Sequence, residues 1–216
     1  MKKLILAIAV VGIAVMPLVA QHAADPDKKV AGGGTLPSGW KGRLDSGDAS
    51  LAGVKAMAMG GGVHFTTGPA GIYYRPADKA AGSYEAHATF TQNVPAAHPE
   101  AYGLIVGGSN LEGAGQKYTY FLVRQDGKFM IKRRAGEETP TVADWTDNAA
   151  IKKPDASGKS TNTLAIDVGK EKVRFLVNGT EVATVDATKV DTTGLAGLRI
   201  NHNLNVHVEG FAVKSR

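Results

Sequence analysis

Tyr84-Glu85-Ala86-His87-Ala88-Thr89-Phe90-Thr91 alternates apolar or small side chains with polar ones without a break. Successive side chains of an extended strand point to opposite faces, so this segment reads as a strand with one face buried and one wet. The same period recurs downstream. Leu164, Ile166 and Val168 alternate with Ala165 and Asp167; Val173, Phe175 and Val177 with Arg174 and Leu176; Val206 and Val208 with Asn205, His207 and Glu209. No stretch of twelve residues carries a helical stripe. The punctuation between these runs is that of hairpins. Asn178-Gly179 separates Val173–Val177 from Glu181–Val185, and both residues accept positive φ, which predicts a two-residue type I′ turn. Gln125-Asp126-Gly127 and Gly169-Lys170-Glu171 act in the same way. Strand starts are predicted near Val54, Val63, Gly71, Ser83, Tyr102, Lys117, Lys128, Thr163, Lys172, Glu181, Gly197 and Leu204. Some twelve short strands at fairly even spacing define an all-β sandwich or barrel. The longest gap, Ala135 to Asn162, is predicted as a loop packed by its own side chains.

Upstream of the strands the sequence changes character. Lys2 and Lys3 precede an apolar run from Leu4 to Val15, Pro17 breaks it, and Leu18-Val19-Ala20 offers a small residue for cleavage. Residues 1–20 therefore read as a signal peptide, and the protein is expected in the periplasm or outside the cell, with no membrane attachment after cleavage. The chain has no cysteine, so neither a lipid anchor nor a disulfide is available, and the core alone must hold the fold. Residues 21–39 are polar, small and glycine-rich and read as a flexible linker; the domain is expected over residues 40–216. Loss of Lys2 and Lys3 takes 25 basic side chains to 23 against 20 acidic ones, a balance too weak to point to nucleic acid. Lys128, Lys132, Arg133 and Arg134 read as the charged defence of an edge strand.

The stretch from Tyr102 to Val213 resembles the concanavalin A-like lectin/glucanase superfamily. Tyr102-Gly103-Leu104-Ile105, Tyr118-Thr119-Tyr120-Phe121, Asp126-Gly127-Lys128-Phe129, Asp144-Trp145, Val177-Asn178-Gly179 and the strand from Gly194 to Ile200 carry the likeness. Within that superfamily it is most like the 3-keto-disaccharide hydrolase-like and laminin-G-like domains of secreted bacterial proteins. The resemblance implies a two-sheet antiparallel jelly-roll sandwich that binds or cleaves carbohydrate on its concave sheet or rim loops. The asparagine-serine-glycine stretch and the glutamate-valine-glutamine-isoleucine strand of the keto-disaccharide hydrolases do not occur here.

Catalytic signatures are sparse. A retaining glycosidase needs two carboxylates about 5 Å apart, and strand neighbours i and i+2 could supply them. Glu85-Ala-His87 offers one carboxylate and a histidine, which makes Glu85 and His87 the only weak acid/base candidates. Gly158-Lys159-Ser160 resembles the end of a phosphate-binding loop, but Lys153 stands where that loop needs glycine. His202 and His207 are five apart, so on one strand they would face opposite sides, and no metal site is expected from the histidines. A structural calcium ion could draw on Asp144, Asp147 and Asn148; no other cofactor is indicated.

Sugar binding pairs an aromatic face with C–H groups and polar side chains with hydroxyls. The candidates are Trp145, Arg124, Arg199, Asn201, His202 and His87, with His87, Arg124, Arg199 and Asn201 expected on one polar face and Trp145 at its rim. Plainer readings stand beside these. These take Trp145 as a plug over the end of the core, Tyr102, Tyr118 and Tyr120 as packing residues, and the Asn201–Asn205 run as a turn. Three functions remain open: a non-catalytic carbohydrate-binding domain, a glycoside-acting enzyme, and a structural or protein-binding envelope domain. The oligomeric state is not legible.

Overall fold

The computed structural model describes residues 26–46 and 49–216. The expected signal peptide lies outside them. The chain is a two-sheet antiparallel jelly-roll sandwich. One seven-stranded sheet, here sheet A, has the order β1 (Lys41–Leu44), β4 (Gly71–Ala80), β13 (Gly194–Ile200), β6 (Ala101–Ser109), β7 (Lys117–Arg124), β8 (Lys128–Ala135), β9 (Thr141–Asp147). The other, sheet B, has the order β12 (Thr180–Asp186), β11 (Lys172–Val177), β10 (Ser160–Val168), β5 (Tyr84–Gln92), β14 (Asn205–Ser215), β3 (Gly62–Thr67), β2 (Val54–Met59).

Period two builds the core directly. Tyr84, Ala86, Ala88 and Phe90 of β5 point inward, as do Leu164, Ile166 and Val168 of β10 and Val173, Phe175 and Val177 of β11. Sheet A contributes Tyr102, Leu104, Phe121, Val123, Leu198 and Ile200. The aromatic side chains interlock across the layer, with Phe121 edge-on to Phe175 at 5.3 Å and Phe90 stacked on Tyr102 at 5.1 Å. Rings at such separations gain roughly 1 kcal/mol beyond the area they bury.

The expected type I′ turn is present: Asn178 has φ 51° and Gly179 φ 80°. Asn178 does more than turn the chain. Its Oδ1 accepts from the Thr163 backbone N–H at 2.9 Å, and its Nδ2 donates to the Ala150 carbonyl at 2.7 Å and to Asn162 Oδ1 at 2.9 Å. One side chain thus fixes the hairpin, β10 and the segment entering β10. Asn178→Ala is expected to cost about 2 kcal/mol, from three lost hydrogen bonds and a left-handed backbone that alanine resists. Urea unfolding measures it, and a loss below about 0.5 kcal/mol would show that the bonds are readily replaced by water.

Among the described residues fourteen strands form where twelve were expected, and the two additional ones are β1 and β9. β9 lies inside the stretch from Ala135 to Asn162 that was read as a loop. Its sequence, Thr-Val-Ala-Asp-Trp-Thr-Asp, has no alternation, because it is an edge strand whose pairing with β8 is broken by two register shifts. β8, with Lys128, Lys132, Arg133 and Arg134, is consequently an interior strand and not an edge. Asn201, His202, Asn203 and Asn205 do not continue one strand either. β13 stops at Ile200, Asn203 turns the chain with φ 56°, and β14 restarts at Asn205 in the opposite sheet.

Within the segment expected as a linker, residues 26–34 touch the sandwich. The Lys28 backbone N–H donates to Asn203 Oδ1 at 2.7 Å, Asn203 Nδ2 donates to the Pro26 carbonyl at 3.1 Å, and the Gly34 N–H donates to the Val54 carbonyl at 3.1 Å.

Candidate functional site

In a two-layer sandwich a strand normally alternates buried and exposed residues. β6 and β7 do not: Ala101 to Gly108 and Tyr118 to Val123 are buried at every position. The outer face of sheet A therefore carries an apolar layer of its own, built from Ile72, Tyr74, Ile105, Tyr118, Tyr120, Leu122 and Met130, with Trp145 and Leu195 packed against it. The loop residue Leu111 lies on this layer as well. Such unbroken apolar runs signal strands covered on both sides.

Over that layer lie arginines. Register places Arg43, Ile72, Arg199, Gly103, Leu122 and Met130 in one row across the sheet, and Lys41, Tyr74, Gly197, Ile105, Tyr120 and Lys132 in the next. Arg199 stands near the middle. Its Nη1 and Nη2 donate to the two carboxylate oxygens of Asp45, both at 2.5 Å, and its guanidinium carbon is 5.9 Å from the Tyr120 ring centre. Gly103 lies on β6 between β13 and β7, where any Cβ would meet the Phe121 carbonyl oxygen at 1.9 Å. A side chain there would run into the backbone of β7.

Arg43 Nη1 donates to the Leu111 and Gly113 carbonyls at 3.2 and 2.7 Å, and Lys41 Nζ meets Glu112 Oε1 at 2.6 Å. These contacts fix the β6–β7 loop above β1 and β4. Burial alone would raise the Asp45 pKa, but the Arg199 hydrogen bond, with the charges of Arg199, Arg134 and Arg43, outweighs it and holds the carboxyl below its ordinary 3.8. Burial raises the phenols of Tyr118 and Tyr120, which stay neutral donors at physiological pH. The Nε atoms of Arg43 and Arg199 are buried with no acceptor among the described residues.

Farther along the same face Arg124 lies over the Trp145 ring, 4.2 Å from its centre, and pairs with Asp126 at 2.7 Å. Trp145 is four strands from Arg199, about 19 Å at the usual spacing between strands. It sits on β9 with its ring against the outer layer, so it does not plug the end of the core.

Sheet A thus brings Arg124, Arg199 and Trp145 to one face. Asn201 lies at the margin of that sheet: its backbone N–H donates to the Ala101 carbonyl at 2.9 Å, and its Nδ2 donates to Glu100 at 3.3 Å. His202 lies in the turn, between Glu100 at 2.8 Å and Asp27 at 3.3 Å. His87 departs from expectation outright. It lies on β5, in sheet B, on the outer surface of the opposite layer. The cause is topological: β5 pairs with β10 and β14, and neither borders β13 or β7. Tyr102 is also removed from this face; it is a core residue whose hydroxyl accepts from Asn162 Nδ2 at 3.1 Å.

Glu85 and His87 remain neighbours, with Nδ1 and Oε1 3.0 Å apart. Register sets Asp167 of β10 directly across from Glu85, a second carboxylate that no local spacing in the sequence reveals. Both are engaged. Arg216 reaches Glu85 at 2.8 Å and Asp167 at 2.7 Å, and Arg174 also pairs with Asp167. Asp144, Asp147 and Asn148 each have another partner: Asp144 Oδ1 accepts from the Trp145 N–H, Asp147 pairs with Lys128 at 3.4 Å, and Asn148 Oδ1 accepts from the Ala150 N–H. Among the described residues no three His, Asp or Glu side chains cluster as metal ligands would.

No protein-family model matches this chain, and no curated protein is significantly similar to it in sequence. Solved structures do share its architecture. The carbohydrate-binding module CBM66 from Bacillus subtilis superposes with a TM-score of 0.62 over 84% of this chain and 99% of its own, at 9% identity. A Bacillus subtilis protein of unknown function with a galectin-like fold gives 0.58 over 82% and 89%, at 14% identity. The Bacillus licheniformis β-glucanase gives 0.55 over 83% and 93%, at 12% identity. At these identities the likeness is one of fold, the concanavalin A-like sandwich.

Proposed function

We propose that this protein binds carbohydrate on the outer face of sheet A, as an exported binding domain of the periplasm or cell exterior. One observation carries the reading: the partly exposed Trp145 shares that face with four arginines, over a packed apolar layer that includes the buried Tyr118 and Tyr120. Aromatic faces meet the C–H groups of a sugar ring, guanidinium groups donate to its oxygens, and the packed layer beneath holds both in place before the ligand arrives. The fold shared with a carbohydrate-binding module supports this by analogy. Residues 1–20 as a signal peptide support export.

Isothermal titration against a panel of oligosaccharides tests the proposal. A ligand is expected whose dissociation constant rises about tenfold in Trp145→Ala, the loss of one stacked aromatic contact with its arginine partner. Unchanged affinity in Trp145→Ala and also in Tyr120→Ala would remove this face from the site.

A second reading, glycoside chemistry akin to that of the 3-keto-disaccharide hydrolases, draws on Glu85, Asp167 and His87 in sheet B. Its support is the opposed placement of Glu85 and Asp167 on paired strands. The engagement of both carboxylates by arginines leaves the first reading the better supported.

A further inference from the structure

We infer that the outer face of sheet A selects acidic glycans, those bearing carboxylate or sulfate groups, over neutral ones; this rests on the reading of that face as a sugar site. The argument is one of donors and acceptors. A sugar hydroxyl both donates and accepts, so neutral sugars are held by faces that offer both functions. Arginine and lysine side chains only donate. Among the described residues, the carboxylates of this face are already paired. Asp45 takes both terminal nitrogens of Arg199, Asp126 takes Arg124, and Glu112 takes Lys41.

The cations are not consumed in the same measure. Among the described residues Arg43, Lys132 and Arg134 form no close ion pair, although the charges of Arg43 and Arg134 act on Asp45 at longer range. Arg43 spends one nitrogen on two backbone carbonyls, and Arg134 Nε donates to the Gly136 carbonyl at 2.6 Å. Arg134 and Lys132 lie on β8 directly across from Tyr118 and Tyr120 of β7. A net positive charge thus sits beside two aromatic side chains on a largely apolar floor, where screening by water is weaker than on an open surface. Among the described residues the buried Nε–H groups of Arg43 and Arg199 also lack acceptors. An acceptor-only group attached to a sugar ring matches this pattern; a neutral hydroxyl accepts from the cations but finds few acceptors for its own O–H. Bidentate Arg–carboxylate or Arg–sulfate contacts supply the geometry.

The purified protein is titrated with tetragalacturonate, with the same oligosaccharide reduced at its carboxyl groups, and with a sulfated neutral tetrasaccharide. The uronate or the sulfate is expected to bind about tenfold or more tightly than the reduced form, and to weaken by about tenfold in Arg134→Ala. Arg134→Lys, which keeps the charge, should restore part of that loss, and thermal melting shows that each variant is folded. Preference for the uronate over the sulfate assigns carboxylate as the recognised group, and the reverse assigns sulfate. Equal or tighter binding of the reduced oligosaccharide, or acidic binding indifferent to Arg134→Ala, overturns the inference and leaves the sugar site standing. If no acidic or neutral oligosaccharide binds, the reading of the face as a sugar site fails with it.

Discussion

Phe121→Ala is expected to destabilise the protein by about 3–5 kcal/mol, near the upper end of what a single truncation does. Phe121 is fully buried at the centre of β7, where its ring meets Phe175 of β11 at 5.3 Å and Phe129 of β8 at 6.2 Å. It therefore bridges the two sheets and also packs along its own. Strands flank it on both sides, so the surroundings cannot collapse into the space a missing ring leaves, and the cavity cost adds to the lost burial. In a domain of this size, 1 kcal/mol corresponds to roughly 2–4 °C, so the midpoint of thermal unfolding should fall by roughly 10 °C. Scanning calorimetry measures it. A fall of less than 3 °C would mean that the sheets are held chiefly elsewhere. No disulfide is present to mask the loss.

Arg199→Ala should affect both stability and the proposed site. The Arg199 side chain is only 12% exposed and its partner Asp45 is 42% exposed, so the pair is half-sheltered. Removing one member of a fully buried pair costs about 3–5 kcal/mol, and exposure of Asp45 reduces this to about 2 kcal/mol here. Loss of the guanidinium also frees the segment holding Asp45 and uncovers Tyr120, so binding of any glycan on this face should weaken about tenfold or more. The pH dependence separates these effects. Asp45 has a folded pKa below its unfolded value, so its contribution is complete above about pH 4 and is lost as pH falls through the folded pKa. Asp45→Asn should be less stable than the parent at pH 7 and should lack that portion of the acid-induced loss. A parallel decline of both proteins below pH 4 would show that the Asp45–Arg199 pair contributes nothing to stability.

The candidate site was only partly legible in the sequence. Arg124, Arg199 and Trp145 were singled out and share one face. Arg43 and Asp45 were not, because β1 is too short for alternation to show and Asp45 acquires meaning only by reaching Arg199, 154 positions away. The near-continuous apolar runs around Leu104 and Phe121 did hold a signal for a strand covered on both faces. Read as ordinary half-buried strands, they hid the outer layer.

Alternation, turn residues and the absence of cysteine are local properties of the chain, and they determined the all-β class, the Asn178-Gly179 hairpin and the inward set of β5, β10 and β11. A period of two states which residues face the same way along one strand. It does not state which strands become neighbours, since antiparallel pairing between distant segments is chosen by how the whole core closes. Tertiary structure alone therefore decided that His87 belongs to the sheet opposite Arg199, that Asp167 faces Glu85, that Thr141–Asp147 pairs as an edge strand, and that Arg43, Arg134, Arg199 and Tyr120 meet on one face.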